Sequence, residues 1–214
     1  MATLRVCILL SLSLTGINVL SQSSFKKFRQ LSKPEKHWVL KHPFIAKKAF
    51  HMTQHVIHVC DSLLKDSAFD ADPNGGQLDA FRHAYWMASL VQRIKPKKAY
   101  SLAIAHEDGN KLDFEKNKME DGAHPDSMGT AMDIVNDQIG IEIGVQNRLK
   151  KIPGADAEMI RLISEMIVKG ELRVLLKNKT GEYLDCEIHL INLENWKGKW
   201  GIPKCLVRSD KGRI

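Results

Sequence analysis

The sequence is notable first for what it lacks. It has no internal repeat and no low-complexity tract. It contains no Gly-x-Ser-x-Gly elbow and no glycine-rich phosphate loop, and no cysteine is placed as a nucleophile with a partner. That excludes the common signatures of serine hydrolases and nucleotide-binding folds. No specific nucleic-acid-binding motif is present. Beyond the run from Val6 to Leu20, no stretch is apolar enough to span a bilayer, and that run is itself short for a span. Cysteine is scarce, at four residues.

What remains is enough for one domain. A chain of 214 residues, 43% hydrophobic, can bury a single core. The formal net charge of +7 fits an anionic substrate and equally fits plain solubility. Met1-Ala2-Thr3-Leu4-Arg5, the apolar run and Val19-Leu20-Ser21 read as a secretory signal over residues 1–21, cut near Gln22, with a retained anchor as the alternative. A secreted or periplasmic location follows, with no transmembrane span once the signal is removed. Export permits a disulfide. Cys186 and Cys205 share the C-terminal segment and are the expected pair, whereas Cys60 falls on a helical apolar stripe as a buried thiol.

The expected architecture is mainly α: a bundle-like helical domain over residues 22–170, with a β-hairpin and stapled tail over 171–214 belonging to the same domain. Ser32-Lys33-Pro34-Glu35 predicts a capping box opening a short helix to His42. Pro43 breaks it, and a long helix follows to about Leu64. That helix carries His51, His55 and His58, read as an exposed polar edge rather than a metal site because no carboxylate joins them. A further helix over 98–108 is expected to end at Gly109, with 111–125 as a polar mobile loop or a frayed extension of that helix. Asp126 is expected to cap the next helix, which places Asp133, Asn136, Asp137 and Gly140 opposite an apolar seam. Another helix is expected over 155–169, closed by Gly170. Leu172 to Leu176 reads as a strand, with Lys179-Thr180-Gly181 as the turn and Tyr183 to Cys186 as the return strand.

The chain is organised around residues 75–88, a glycine turn running into a helix. Leu78, Phe81, Tyr85 and Ala88 form one stripe, and Asp79, Arg82, His83 and Trp86 form a second. Just before it, Asp70, Asp72 and Asn74 match the opening of a calcium loop, although Phe81 stands where a bidentate Glu belongs and Pro73 is unusual there. An ordinary turn is the competing reading.

Asp-Ala-Phe-Arg-His-Ala-Tyr-Trp at 79–86, Ala-His-Glu at 105–107 and Met-Asp-x-x-Asn-x-x-x-Gly at 132–140 occur in that order. Together they resemble a bacterial family of unknown function, whose members include secreted proteins and C-terminal modules of toxin-like proteins. The likeness spans residues 75–144 and implies a shared site; Asp137 departs from it, where the family often has a second Asn.

The candidate site draws on three helices. Asp79, His83, His106 and Asp133 form a ligand set for zinc or a similar divalent ion. His83, His106, Glu107 and Asp133 are the catalytic candidates, with a spare carboxylate as base to a metal-activated water. Arg82 suits an anionic group, Trp86 a stacking wall and Asn136 the rim of the pocket. The leading function is a hydrolase of an anionic or polar envelope or extracellular substrate. The alternatives are a metal-free hydrolase with His83 or His106 as base, and a binding module whose polar cluster is structural, with Arg82 on Glu107 or Asp133.

Overall fold

The computed structural model describes residues 27–65, 69–119, 123–148 and 154–214. The expected signal segment and its expected cleavage point lie outside the described residues. The fold is mainly helical: α1 (Lys33–Lys41), α2 (Pro43–Lys65), α3 (Gln77–Val91), α4 (Pro96–Glu115), α5 (Ser127–Gln146) and α6 (Ala155–Val168), followed by the short strands β1 (Arg173–Leu175) and β2 (Leu206–Arg208). No helix among the described residues is long and apolar enough to cross a membrane.

The helix boundaries follow local chemistry. Ser32 and Glu35 form the reciprocal capping box of α1, and Asp126 caps α5 by accepting from Met128 and Gly129 N–H groups. At α3 the N-cap Gly76 has no side chain to offer. Asp70, several residues upstream, takes that role by accepting from the N–H groups of Gln77 and Leu78.

Helix α3 is the hub. It is buried almost all round, with only Gln77, Arg82 and Trp86 partly open. Its apolar side, Phe81 and Tyr85, packs with Val56, Ile163, Leu172 and Val174. Its other side meets α5 at close range. A Cβ on Gly140 would stand 2.2 Å from the Ala84 carbonyl oxygen, and one on Gly144 would stand 2.5 Å from that of Ala88. Only small residues at these crossing points let the two backbones come so near. The buried face of α5 is therefore the polar and glycine face, Asp133, Asn136, Asp137, Gly140 and Gly144, together with Met132 and Ile143. Of the expected apolar seam of Met128, Met132, Val135, Ile139 and Ile143, only Met132 and Ile143 are buried.

Two other expectations are corrected. Gly109 does not end a helix: α4 runs on to Glu115. The glycine serves close approach instead, since a Cβ there would stand 2.4 Å from Ser32 Oγ at the start of α1. Residues 111–115 of the expected loop over 111–125 are thus helical. In the tail, β1 pairs antiparallel with β2, Val174 opposite Val207, and not with the segment after the turn. The turn itself forms around Gly181, whose φ is +87°. The return segment contributes an isolated bridge from Tyr183 to Lys177, because Leu184 divides its backbone bonds between Leu176 and Cys205. Cys186 and Cys205 are disulfide-bonded with Cα atoms 4.8 Å apart, and Cys60 is a buried free thiol.

Candidate functional site

His83 lies at the α3–α5 contact, 4% exposed, and is surrounded by carboxylates. Its Nδ1 is 3.2 Å from Asp137 Oδ1. Its Nε2 is 3.4 Å from Asp133 Oδ1 and 3.8 Å from Asp79 Oδ1. Asp137 is wholly buried and orients the ring by holding its Nδ1 side. This leaves Nε2 toward Asp79 and Asp133, the arrangement by which a carboxylate orients a metal-ligating or basic imidazole. Ligand atoms of Asp79, His83 and Asp133 all lie within 4.8 Å of one another.

The charge balance is unusual. Burial works against the His83 imidazolium, but Asp133, Asp137 and Asp79 outweigh it and hold the group up to about 10. Burial pushes the Asp133 carboxyl well above its ordinary range, partly opposed by His83 and reinforced by Asp79 and Glu107. Burial likewise raises Glu107. Glu107 Oε2 accepts from Thr130 Oγ1 at 2.9 Å and from Asn110 at 3.4 Å. Glu107 Oε1, Asp133 Oδ1 and Asp137 Oδ2 are buried with no hydrogen-bond donor. For Asp133 Oδ1 the His83 contact is an ion-pair approach without hydrogen-bond alignment. Unpaired buried carboxylate oxygens are costly and call for a cation or a proton.

A small polar cleft of about 60 Å³ opens above this cluster. Asp79, Asp133, Asn110 and Thr130 form its inner wall, and Arg82 and Lys204 stand at its sides. Asp79 is anchored on both oxygens, accepting from Arg82 Nη2 at 2.6 Å and from Gly75 N–H at 2.7 Å. Gly75 has φ of +85°, a conformation that favours glycine. Lys204, 8% exposed, pairs with Asp126 and lies over the Tyr183 ring, 3.7 Å from its centroid. Burial lowers its ammonium pKa, opposed by Asp126.

The sequence-derived candidates therefore divide. Asp79, His83 and Asp133 come together, with Glu107 nearby and Arg82 at the cleft. His106 does not join them. Its ring centroid is 6.3 Å from that of His83, but its Nδ1 is 3.2 Å from Glu35 Oε1 of α1, so it stands outside the close ligand group. Trp86 does not line the cleft; its indole N–H donates to Thr53 Oγ1 on α2, and its ring meets the edge of His106. Asn136 is fully buried and makes two bonds to the Arg173 backbone, which places it in the joint between α5 and β1 rather than on a rim.

The Asp70–Asn74 turn does not converge on an ion centre. Asp70 faces backbone N–H groups, and Asp72 pairs with the buried Lys177 ammonium, which also donates to the Asn74 carbonyl. A cation of the protein thus stands where calcium was considered. Of the α2 histidines, His51 and His58 are exposed as expected. His55 instead reaches Asp156 at 3.0 Å and the Tyr85 hydroxyl at 3.2 Å. Tyr85 also donates to Asp156, and burial and that carboxylate hold its phenol above its usual range.

Sequence reading missed Asp137 as the partner of His83, and missed Asn110, Thr130 and Lys204 at the cleft. The signal for Asp137 was present. It stands four residues after Asp133, and so on the same helical face.

No curated protein and no solved structure matches the chain. One family does, over residues 36–171, a span that takes in every residue of the His83 cluster. The chain belongs to the family described as Domain of unknown function (DUF6973).

Proposed function

We propose that the chain is an exported hydrolase whose centre is a divalent cation held by Asp79, His83 and Asp133, acting on an anionic or polar substrate admitted through the cleft. The observation that carries this reading is the convergence of three ligand atoms within 4.8 Å at the cleft floor, beside buried carboxylate oxygens that no donor satisfies. A cation there neutralises Asp79 and Asp133 and takes the Nε2 lone pair that Asp137 leaves available. Bound water is acidified by such an ion. Glu107, whose carboxyl burial raises, is the proton acceptor on this reading. Arg82, held by Asp79 at the cleft, suits an anionic group of the substrate. Export is supported by the leader-like sequence and the Cys186–Cys205 bridge.

The test is turnover of a panel of ester, amide and phosphoester substrates by protein loaded with zinc or manganese. His83→Ala and Asp133→Asn are expected to abolish turnover, by about a thousandfold or more, while the circular dichroism spectrum is kept. Loss of fold in both variants, with no activity in the parent on any substrate, sinks the proposal.

A second reading rests on the packing of His83 among Asp79, Asp133 and Asp137, which favours its protonated form. An imidazolium between Asp133 and Asp137 is a structural ion network tying α3 to α5. Proton and metal compete for the same Nε2. On this reading His83→Ala lowers the melting temperature sharply, and added metal changes nothing.

A further inference from the structure

Away from the cleft, the corner between α1 and α2 carries two of the three most exposed large apolar side chains among the described residues. Phe44 is 91% exposed and Leu40 is 71% exposed. They flank the Pro43 break, where the chain turns from one helix into the next. An isolated exposed apolar residue is ordinary, but two bulky ones four residues apart across one helix break are not.

The charge around them is of one sign. Residues 36–60 contain no Asp or Glu, and neither do residues 80–106. These two stretches meet at this corner. Lys98 Nζ of α4 lies 2.8 Å from His42 Nε2, and Trp38 donates to Ser101. Lys41, Lys47 and Lys48 are exposed beside the apolar pair, and Lys95, Lys97 and Lys98 are exposed at the adjoining start of α4. None of these residues lines the cleft.

We infer that this corner docks on an anionic lipid surface, with Phe44 and Leu40 inserted among the acyl chains and the lysines on the headgroups. Amphipathic protein surfaces bind membranes by this combination of buried apolar area and attraction to anionic lipid. Each basic residue near such a surface adds attraction that salt screens. A protein partner accounts for the apolar pair without needing six lysines around it. A polyanion such as nucleic acid accounts for the lysines without needing exposed Phe44 and Leu40. The lipid surface uses both.

The experiment is co-sedimentation of the full chain with vesicles of phosphatidylcholine alone and of equal parts phosphatidylcholine and phosphatidylglycerol, at low and high salt. Because the apolar leader can itself partition, the site is read locally: Phe44→Trp is made, and its fluorescence is quenched with lipids brominated on the acyl chains. The expected result is strong quenching on the anionic vesicles and weak binding to the neutral ones. Leu40→Ser/Phe44→Ser is expected to weaken binding at least tenfold, roughly the worth of one large apolar side chain. Lys47→Glu/Lys48→Glu is expected to remove most of the salt dependence. All these side chains are exposed, and an unchanged circular dichroism spectrum confirms the fold of each variant. Binding with no quenching at position 44, or equal binding to both vesicle types at both salts, overturns the inference. So does tight binding of duplex DNA that survives Leu40→Ser/Phe44→Ser.

Discussion

Asn136 commits both ends of its side-chain amide to Arg173, donating to its carbonyl at 2.9 Å and accepting from its N–H at 2.9 Å. Asn136→Ala leaves both backbone groups buried and unpaired, at about 1–3 kcal/mol each. A loss of thermal stability is expected, with metal affinity changed little; a substrate-binding Asn136 would show the reverse. Glu35 offers a pH test. Burial raises its carboxyl, but the hydrogen bond and charge of His106 and the Ser32 cap outweigh that and bring it below its ordinary 4.5. A carboxylate depressed in the fold contributes stability that is fully present above its unfolded pKa and is lost as pH falls through the folded one. Melting curves between about pH 5 and pH 3 should therefore fall more steeply for the native chain than for Glu35→Gln; parallel curves would contradict this. At this scale the sequence made the residue types legible, and Asp79, His83 and Asp133 do meet. It did not make the pairings legible. His106 turned to Glu35 and Asn136 to Arg173 because both partners come from elements distant in sequence, which no helical spacing encodes.

At the scale of elements, the α3–α5 contact decides whether the site exists. Gly140 sits against the Ala84 carbonyl with no room for a Cβ. Alanine in a helix gains about 1 kcal/mol over glycine in propensity. Here the clash is with backbone rather than a flexible side chain, so separation of the helices must dominate, at typically 1–3 kcal/mol or more. Gly140→Ala is expected to lower the melting temperature and to weaken metal binding with it, because Asp133 and Asp137 move away from His83. Gly129→Ala on the same helix, where a Cβ meets nothing, is the control and should be neutral or stabilising. Caps and breaks were readable from sequence, as Ser32, Pro43 and Asp126 show. The buried face of α5 was misjudged because the apolar stripe was taken as the inward side. The true signal was the pair of glycines, Gly140 and Gly144, one turn apart and matching Ala84 and Ala88. Gly109 misled in the same way: it was read for chain termination when its role is contact.

At the scale of the molecule, the C-terminal segment is fastened to the helices rather than appended to them. Leu172 and Val174 lie in the main core, Lys177 pairs with Asp72 and Lys204 with Asp126. The Cys186–Cys205 bridge spans a sequence separation of 19, and closing a loop of that size contributes about 3 kcal/mol. Reduction is expected to lower the melting temperature, and by way of Lys204 to loosen the cleft wall; an unchanged melt would contradict this. The disulfide was legible from the two cysteines that share the tail. The β1–β2 pairing was not, since Leu206 to Arg208 follows the bridge and is brought back to β1 only by it. The central claim, that the carboxylates around His83 hold a metal ion, is tested most directly by isothermal titration of the metal-free protein with zinc, beside Asp133→Asn. The account predicts one ion bound per chain, with affinity reduced at least tenfold in the variant. No binding by the native chain, or equal binding by both, would contradict it and leave His83 as the buried cation of a structural network.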